Sequence, residues 1–109
     1  MKHLITAKCY NKHGDLLGYA TNHYTKSHPL QAHFAKMVGH PERIYLHAEI
    51  AAILQCGTQQ IHTLVVVRRR KSSAALALAK PCPICQEAIK AFKIKKVLYS
   101  TNEETMERL

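Results

Sequence analysis

The hydrophobic pattern changes period several times along the chain. Leu4 to Tyr10 alternate loosely and include Ile5 and Thr6, which predicts a strand. Asn11-Lys12-His13-Gly14-Asp15 is a cluster of turn residues, and Leu16 to Thr21 return as a second strand, so the chain opens on an antiparallel hairpin. The period then lengthens. Ser27-His28-Pro29 offers a cap and a first-turn proline, Leu30, Phe34, Met37 and Val38 share one helical face, and Gly39 stops the run. After a connection at His40-Pro41-Glu42, a second helix begins near His47, with Ile50, Ile53 and Leu54 as its apolar stripe and Gly57 as its stop.

Ile61 to Val67 contains an unbroken Leu-Val-Val-Val, the habit of a central strand buried on both faces. Arg68 to Ser73 reads as an exposed loop, and Ala74 to Lys80 as extended chain running into Pro81. Pro83 opens a third helix carrying Ile84, Ala88, Ile89 and Phe92, and Lys96 to Ser100 is a short strand. Strand, helix and strand in that order imply a parallel pair joined by a right-handed crossover. Thr101 with Glu104 forms a capping box, which predicts a short helix over 101–109. The expected architecture is α/β: a three-layer sandwich with a mixed four- to five-stranded sheet flanked by helices. Little sequence follows Ser100, so the fifth strand is expected to be missing or supplied differently. An open sheet edge then calls for cover by a second subunit, a homo-oligomer.

Composition adds bounds. The 109 residues, 47% hydrophobic and 21% charged, form one domain over 1–109 and not a disordered tail. No apolar run is long enough to span a bilayer, and charges interrupt the N-terminal apolar residues as they do not in a signal peptide. The expected location is the cytoplasm, with no membrane partner. The net charge of +9, with eight histidines counted neutral, favours polyanions or phosphorylated ligands. A solubilising basic surface is the plainer reading.

Two fragments carry chemistry: His47-Ala48-Glu49 and Pro81-Cys82-Pro83-Ile84-Cys85. Each lies where a helix starts, and helix N-termini present unpaired N–H groups and the positive dipole end. In a reducing compartment Cys82 and Cys85 read as a metal or redox pair before a disulfide. One imidazole and two thiolates give zinc three ligands, leaving a fourth position for water, as catalytic zinc requires. Zinc lowers the pKa of such water toward neutrality. Glu49, two residues past His47, points away from the ligand direction and is placed to move protons. A closed structural zinc site with Cys9 or Cys56 as fourth ligand stays open, as does a redox Cys-x-x-Cys; neither gives Glu49 a role.

His-x-Glu followed by Pro-Cys-x-x-Cys resembles the signature of the cytidine deaminase superfamily. The resemblance covers His47 through about Ser100 and suits the preceding hairpin. It implies a mixed five-stranded sheet with helices and a zinc-dependent hydrolytic deaminase. Zn2+ would be held by His47, Cys82 and Cys85, with Glu49 as proton shuttle. Free-cytidine deaminases typically carry cysteine at the first ligand, so His47 is similar to the deoxycytidylate, tRNA-adenosine, guanine and polynucleotide branch. His47-Ala48-Glu49-Ile50 is similar to tRNA-adenosine and deoxycytidylate deaminases, and Pro81-Cys82-Pro83-Ile84-Cys85 to guanine deaminases. Lys80 stands where the family often has Ser, Thr or Glu.

By position, the resemblance assigns Asn22 to the sugar or base, the Ala48 N–H to the base carbonyl and the Lys80 carbonyl to the leaving amine. The expected reaction converts cytosine to uracil in a nucleotide or single-stranded nucleic acid. The alternatives are an adenine or guanine deaminase, or a non-catalytic zinc-stabilised module that binds nucleic acid. His23, His28, His33 and His40 crowd one segment at spacings that match no familiar metal site. Arg68-Arg69-Arg70-Lys71 reads as a solvated loop or a phosphate contact. Aromatic content of 6% offers no stacking platform, although Tyr24 and Tyr45 are candidates to line a pocket, with Phe34 in the core.

Overall fold

The computed structural model describes residues 3–22 and 25–109, so His23 and Tyr24 lie outside the described residues. Strands β1 (His3–Tyr10) and β2 (Leu16–Thr21) form the expected hairpin, in antiparallel register from Thr6 opposite Thr21 to Tyr10 opposite Leu16. Asn11 builds its turn: Oδ1 accepts from the backbone N–H of His13 at 2.9 Å and of Asp15 at 3.0 Å.

Helix α1 (Pro29–Met37) starts at the anticipated proline. Its cap is His28, whose Nδ1 accepts from the Leu30 N–H at 3.0 Å, while Ser27 forms an isolated bridge to Tyr45. The helix ends at Gly39, with φ of 81°, where His40 donates to the Ala35 carbonyl and Gly39 to that of Lys36. Helix α2 (Ala48–Gln55) lies against β2. A Cβ on Gly18 would sit 3.0 Å from Gln55 Cβ and 3.1 Å from Cys56 Sγ, so this glycine permits the close approach.

The sheet runs β2-β1-β3-β5-β6, with β4 (Leu76–Ala77) beside β3 (Thr63–Arg70). Only β3 and β5 (Lys96–Ser100) are parallel, joined through α3 (Pro83–Ala91) as the strand-helix-strand pattern predicts. The result is a mixed sheet with three helices, an open α/β sandwich. Ala7, Cys9, Leu64, Val66, Val97 and Tyr99 are buried with Ile50, Ile53, Ile84 and Ala88 from α2 and α3.

Four expectations need correction. The chain does not close in a helix: residues 101–105 turn, and β6 (Met106–Arg108) pairs antiparallel with β5, so a strand after Ser100 is present. Thr101 Oγ1 does accept from the Glu103 and Thr105 N–H groups, but Glu104 takes a positive φ of 59° and its carboxylate accepts from Leu76 instead of returning to Thr101. Among the described residues the sheet therefore has six strands, not four or five. Arg68, Arg69 and Arg70 are not loop: β3 continues through them because β1 and β4 both offer ladder partners there. Last, β3 is buried on one face only, with Leu64 and Val66 inside and Val65 and Val67 half-buried above a shallow cavity with Leu4 and Tyr10. Among the described residues no helix is long and apolar enough to cross a membrane.

Candidate active site

The N-termini of α2 and α3 meet. His47 is the N-cap of α2 and Cys82 that of α3; both are extended in backbone, and neither side chain caps its helix. A Ser or Asp there would turn its oxygen back onto the helix. The imidazole and thiol instead project forward, and Cys85 adds a second thiol from the first turn of α3. The segment before His47 is pinned by a hydrogen bond from Leu46 N–H to the Lys26 carbonyl at 2.8 Å. Gln31, fully buried, fixes His47 itself. Its Oε1 accepts from the His47 N–H at 3.2 Å, and its Nε2 donates to the Arg43 carbonyl at 3.4 Å. On α3, Gln86 Nε2 donates to the Pro81 carbonyl at 2.8 Å and ties the approach to the helix.

His47 Nδ1 lies 3.4 Å from Cys85 Sγ and 3.5 Å from Cys82 Sγ, and all three donor atoms fall within 4.8 Å of one another. A tetrahedral zinc, with bonds of about 2.0–2.1 Å to nitrogen and 2.3 Å to sulfur, spaces such donors roughly 3.6 Å apart. Donor type and spacing thus fit zinc. Cys9 and Cys56 pack against each other elsewhere in the core, and burial raises both thiols above their ordinary range. No other group of His, Cys, Asp or Glu among the described residues is placed to hold a metal, so the four-ligand closed site has no support, and His28, His33 and His40 form no such group.

Without metal the three donors share protons. The hydrogen bond from Cys85 pulls the Cys82 thiol down to about 4, and the same bond, with burial, pushes Cys85 well above the usual thiol range. The hydrogen bond to Cys82 raises His47. Burial raises Glu49, a carboxyl only 7% exposed.

His47 and Cys82 lie in a cavity of about 480 Å³, with Cys85 buried behind them. Ile5, Leu46, Val66 and Ala79 give it apolar walls, Glu49 lies beside His47 and Cys82, and Arg43, Arg68 and Lys80 bring positive charge. Residues 2–101 match the family model of the cytidine and deoxycytidylate deaminase zinc-binding region.

The chain belongs to this deaminase family.

No curated protein matches it as a relative. The family assignment and the donor geometry together make this a zinc-binding domain of the deaminase superfamily, with His47, Cys82 and Cys85 as the metal group. The other residues anticipated for the deaminase site all line the same cavity: Glu49, Asn22, Ala48 and Lys80. Glu49 does not turn away from the ligands as its spacing suggested; its carboxyl interacts with Cys85. Asn22 closes the hairpin, its Oδ1 accepting from the Ile5 N–H at 3.2 Å and its own N–H donating to the Ile5 carbonyl. Tyr45 lines the cavity, whereas Phe34 is core.

Sequence reasoning passed over Gln31 and Arg43. Gln31 was detectable as the polar residue set between Leu30 and Phe34 at the start of an apolar helix face. Nothing local marks Arg43, which reaches the cavity because of how the α1–α2 connection folds.

Proposed function

We propose that the chain hydrolyses the exocyclic amine of a cytosine base, giving uracil and ammonia, in a nucleotide or a single-stranded nucleic acid. The carrying observation is the placement of a buried carboxyl, Glu49, in one cavity with His47 and Cys82, two of the three clustered zinc-type donors, with Cys85 buried beside them. Zinc, when bound, supplies a Lewis acid that makes water more acidic. Glu49 accepts the proton of the attacking water, whose oxygen bonds to the amine-bearing carbon. It then gives a proton to the adjacent ring nitrogen. A further proton passes through Glu49 to the amine, which leaves as ammonia while the carbonyl forms. Burial raises the Glu49 carboxyl, which favours a group that takes up and holds a proton between the two transfers.

The remaining residues orient the base. Ala48, first residue of α2, has an N–H with no partner inside the helix and donates it to the base carbonyl. The Lys80 carbonyl accepts from the amine. Asn22 contacts the sugar or base from the end of β2. The apolar walls exclude bulk water, which strengthens each of these contacts.

The test is a panel of nucleobases, nucleosides, nucleotides and single-stranded oligonucleotides, scored by product mass and ammonia. Conversion of cytosine compounds supports the proposal. Conversion of adenine or guanine compounds alone would move the substrate to a purine, and silence on the whole panel would leave a zinc-stabilised binding module.

A further inference from the structure

Strand β3 carries positive charge out of the cavity along a single face. Its pairing with β1 is regular from Thr63 opposite Tyr10 to Arg70 opposite His3, so side chains alternate without a break. Val66 and Arg68 line the catalytic cavity, while Val65, Val67 and Arg69 line the opposite face. Arg70 therefore falls on the same face as Arg68, two residues further from the cavity floor. Two strand residues advance the chain by roughly 7 Å. That step is comparable with the spacing of adjacent phosphates along an extended single strand. The backbone there is fixed: the Arg68 N–H donates to Ser100 Oγ at 2.9 Å, and the Arg70 N–H to the Ala75 carbonyl at 2.9 Å.

The cavity also holds Arg43 and Lys80. Its carboxylates are Glu42, exposed and 3.9 Å from the Arg43 guanidinium, and the buried Glu49. A free mononucleotide has one phosphate, which the cations at the cavity would satisfy, and nothing on it reaches Arg70. A neutral nucleoside uses none of them.

We propose that the substrate is a base within a single-stranded polynucleotide, its own phosphate held by Arg68 with Arg43 and Lys80, and the next phosphate along the strand held by Arg70. This rests on the deaminase reading of the cavity and adds the class of substrate. A single strand is required because a base stacked and paired in a duplex cannot enter a cavity floored by buried groups.

The experiment is equilibrium binding of the zinc-loaded protein to a labelled cytosine-containing single-stranded oligonucleotide across a salt series, with the matching duplex and deoxycytidine monophosphate as comparisons. Each phosphate contact on a single strand contributes about 0.7 to the slope of log affinity against log salt. Two to four contacts predict a slope of roughly −1.4 to −2.8. Arg70→Gln should reduce that slope by about 0.7, so its affinity deficit shrinks about 2.6-fold between roughly 50 and 200 mM salt. Arg70 is exposed and its backbone bond does not involve the side chain, so the variant should fold; circular dichroism checks this. Binding to the single strand over the duplex, with the predicted loss of slope in Arg70→Gln, supports the proposal. An unchanged slope in that variant, or single-strand affinity that is flat with salt, overturns it. Deamination of the monophosphate without oligonucleotide binding also overturns it while leaving the deaminase reading intact. Tight oligonucleotide binding without ammonia from any cytosine compound would instead defeat the deaminase reading.

Discussion

Replacing Glu49 with Gln separates proton transfer from packing. The carboxyl is 7% exposed in the first turn of α2, and Gln matches its volume, so neither a cavity nor a clash results. General acid–base catalysis supplies ~10²–10⁴-fold, or about 2.7–5.5 kcal/mol of barrier. The upper end is expected, because the cavity's other carboxylate, Glu42, sits exposed beside Arg43 and cannot take over. Stability of the metal-free protein should move the opposite way. Burial raises Glu49 above its ordinary 4.5. A carboxyl raised in the fold stabilises it fully below its unfolded pKa, and that contribution is lost as pH rises through the folded value. Gln does not ionise, so metal-free Glu49→Gln should be more stable than wild type at pH 7, with the two converging near pH 4. Turnover is measured per zinc-loaded molecule on the substrate found active in the panel, and stability by urea titration after chelation. A variant within tenfold of wild type in turnover would mean that Glu49 does not carry the protons, and one less stable at pH 7 that its burial does not disfavour the charge.

Four further outcomes follow from the structure. In the metal-free protein at pH 6, Cys82 should be the cysteine that iodoacetamide labels, since its thiol is lowered to about 4 while Cys9, Cys56 and Cys85 are buried and raised; zinc should block it, with peptide mass spectrometry as the readout. Zinc binding near neutral pH should release more than one proton, the first from the raised Cys85 and the rest from His47, measurable by calorimetry in buffers of different ionisation enthalpy. Gly18→Ala should lose roughly 1–3 kcal/mol by denaturant titration, because its Cβ meets Gln55 Cβ at 3.0 Å and the Ala52 carbonyl at 3.3 Å. Gln31→Ala should loosen zinc affinity and cost about 1–3 kcal/mol, since the part-buried His47 N–H loses its acceptor.

Much of this arrangement was legible in the sequence where chemistry is local. Pro29 and Pro83 open helices, Gly39 closes one, and both zinc fragments begin where helices begin; each signal acts within a turn of chain. The hairpin was equally plain, because Asn11 and Gly14 set its turn. The errors share a cause in strand pairing. Arg68 to Arg70 look like loop until β1, from distant sequence, and β4, just past the following turn, supply ladder partners. Thr101 and Glu104 do carry capping chemistry, but the exposed edge of β5 captures the following residues as a strand, and Glu104 spends its carboxylate on Leu76. The Leu-Val-Val-Val run suggested burial on both faces, yet the apolar residues of α2 and α3 pack against only one. At the site, the donors could be read from their spacing. Gln31 stood out only as a polar residue on an apolar helix face, and Arg43 not at all, since both roles depend on where α1 and its connection come to rest.

Zinc-dependent deamination is measured by titrating zinc into the metal-free protein and following ammonia released from a cytosine-containing single strand. No release is expected without metal; activity should rise in proportion to bound zinc and saturate at about one per chain, and Cys82→Ala and Cys85→Ala should lose both zinc and activity. Full activity after complete removal of the metal, or full zinc occupancy in both cysteine variants, would contradict it.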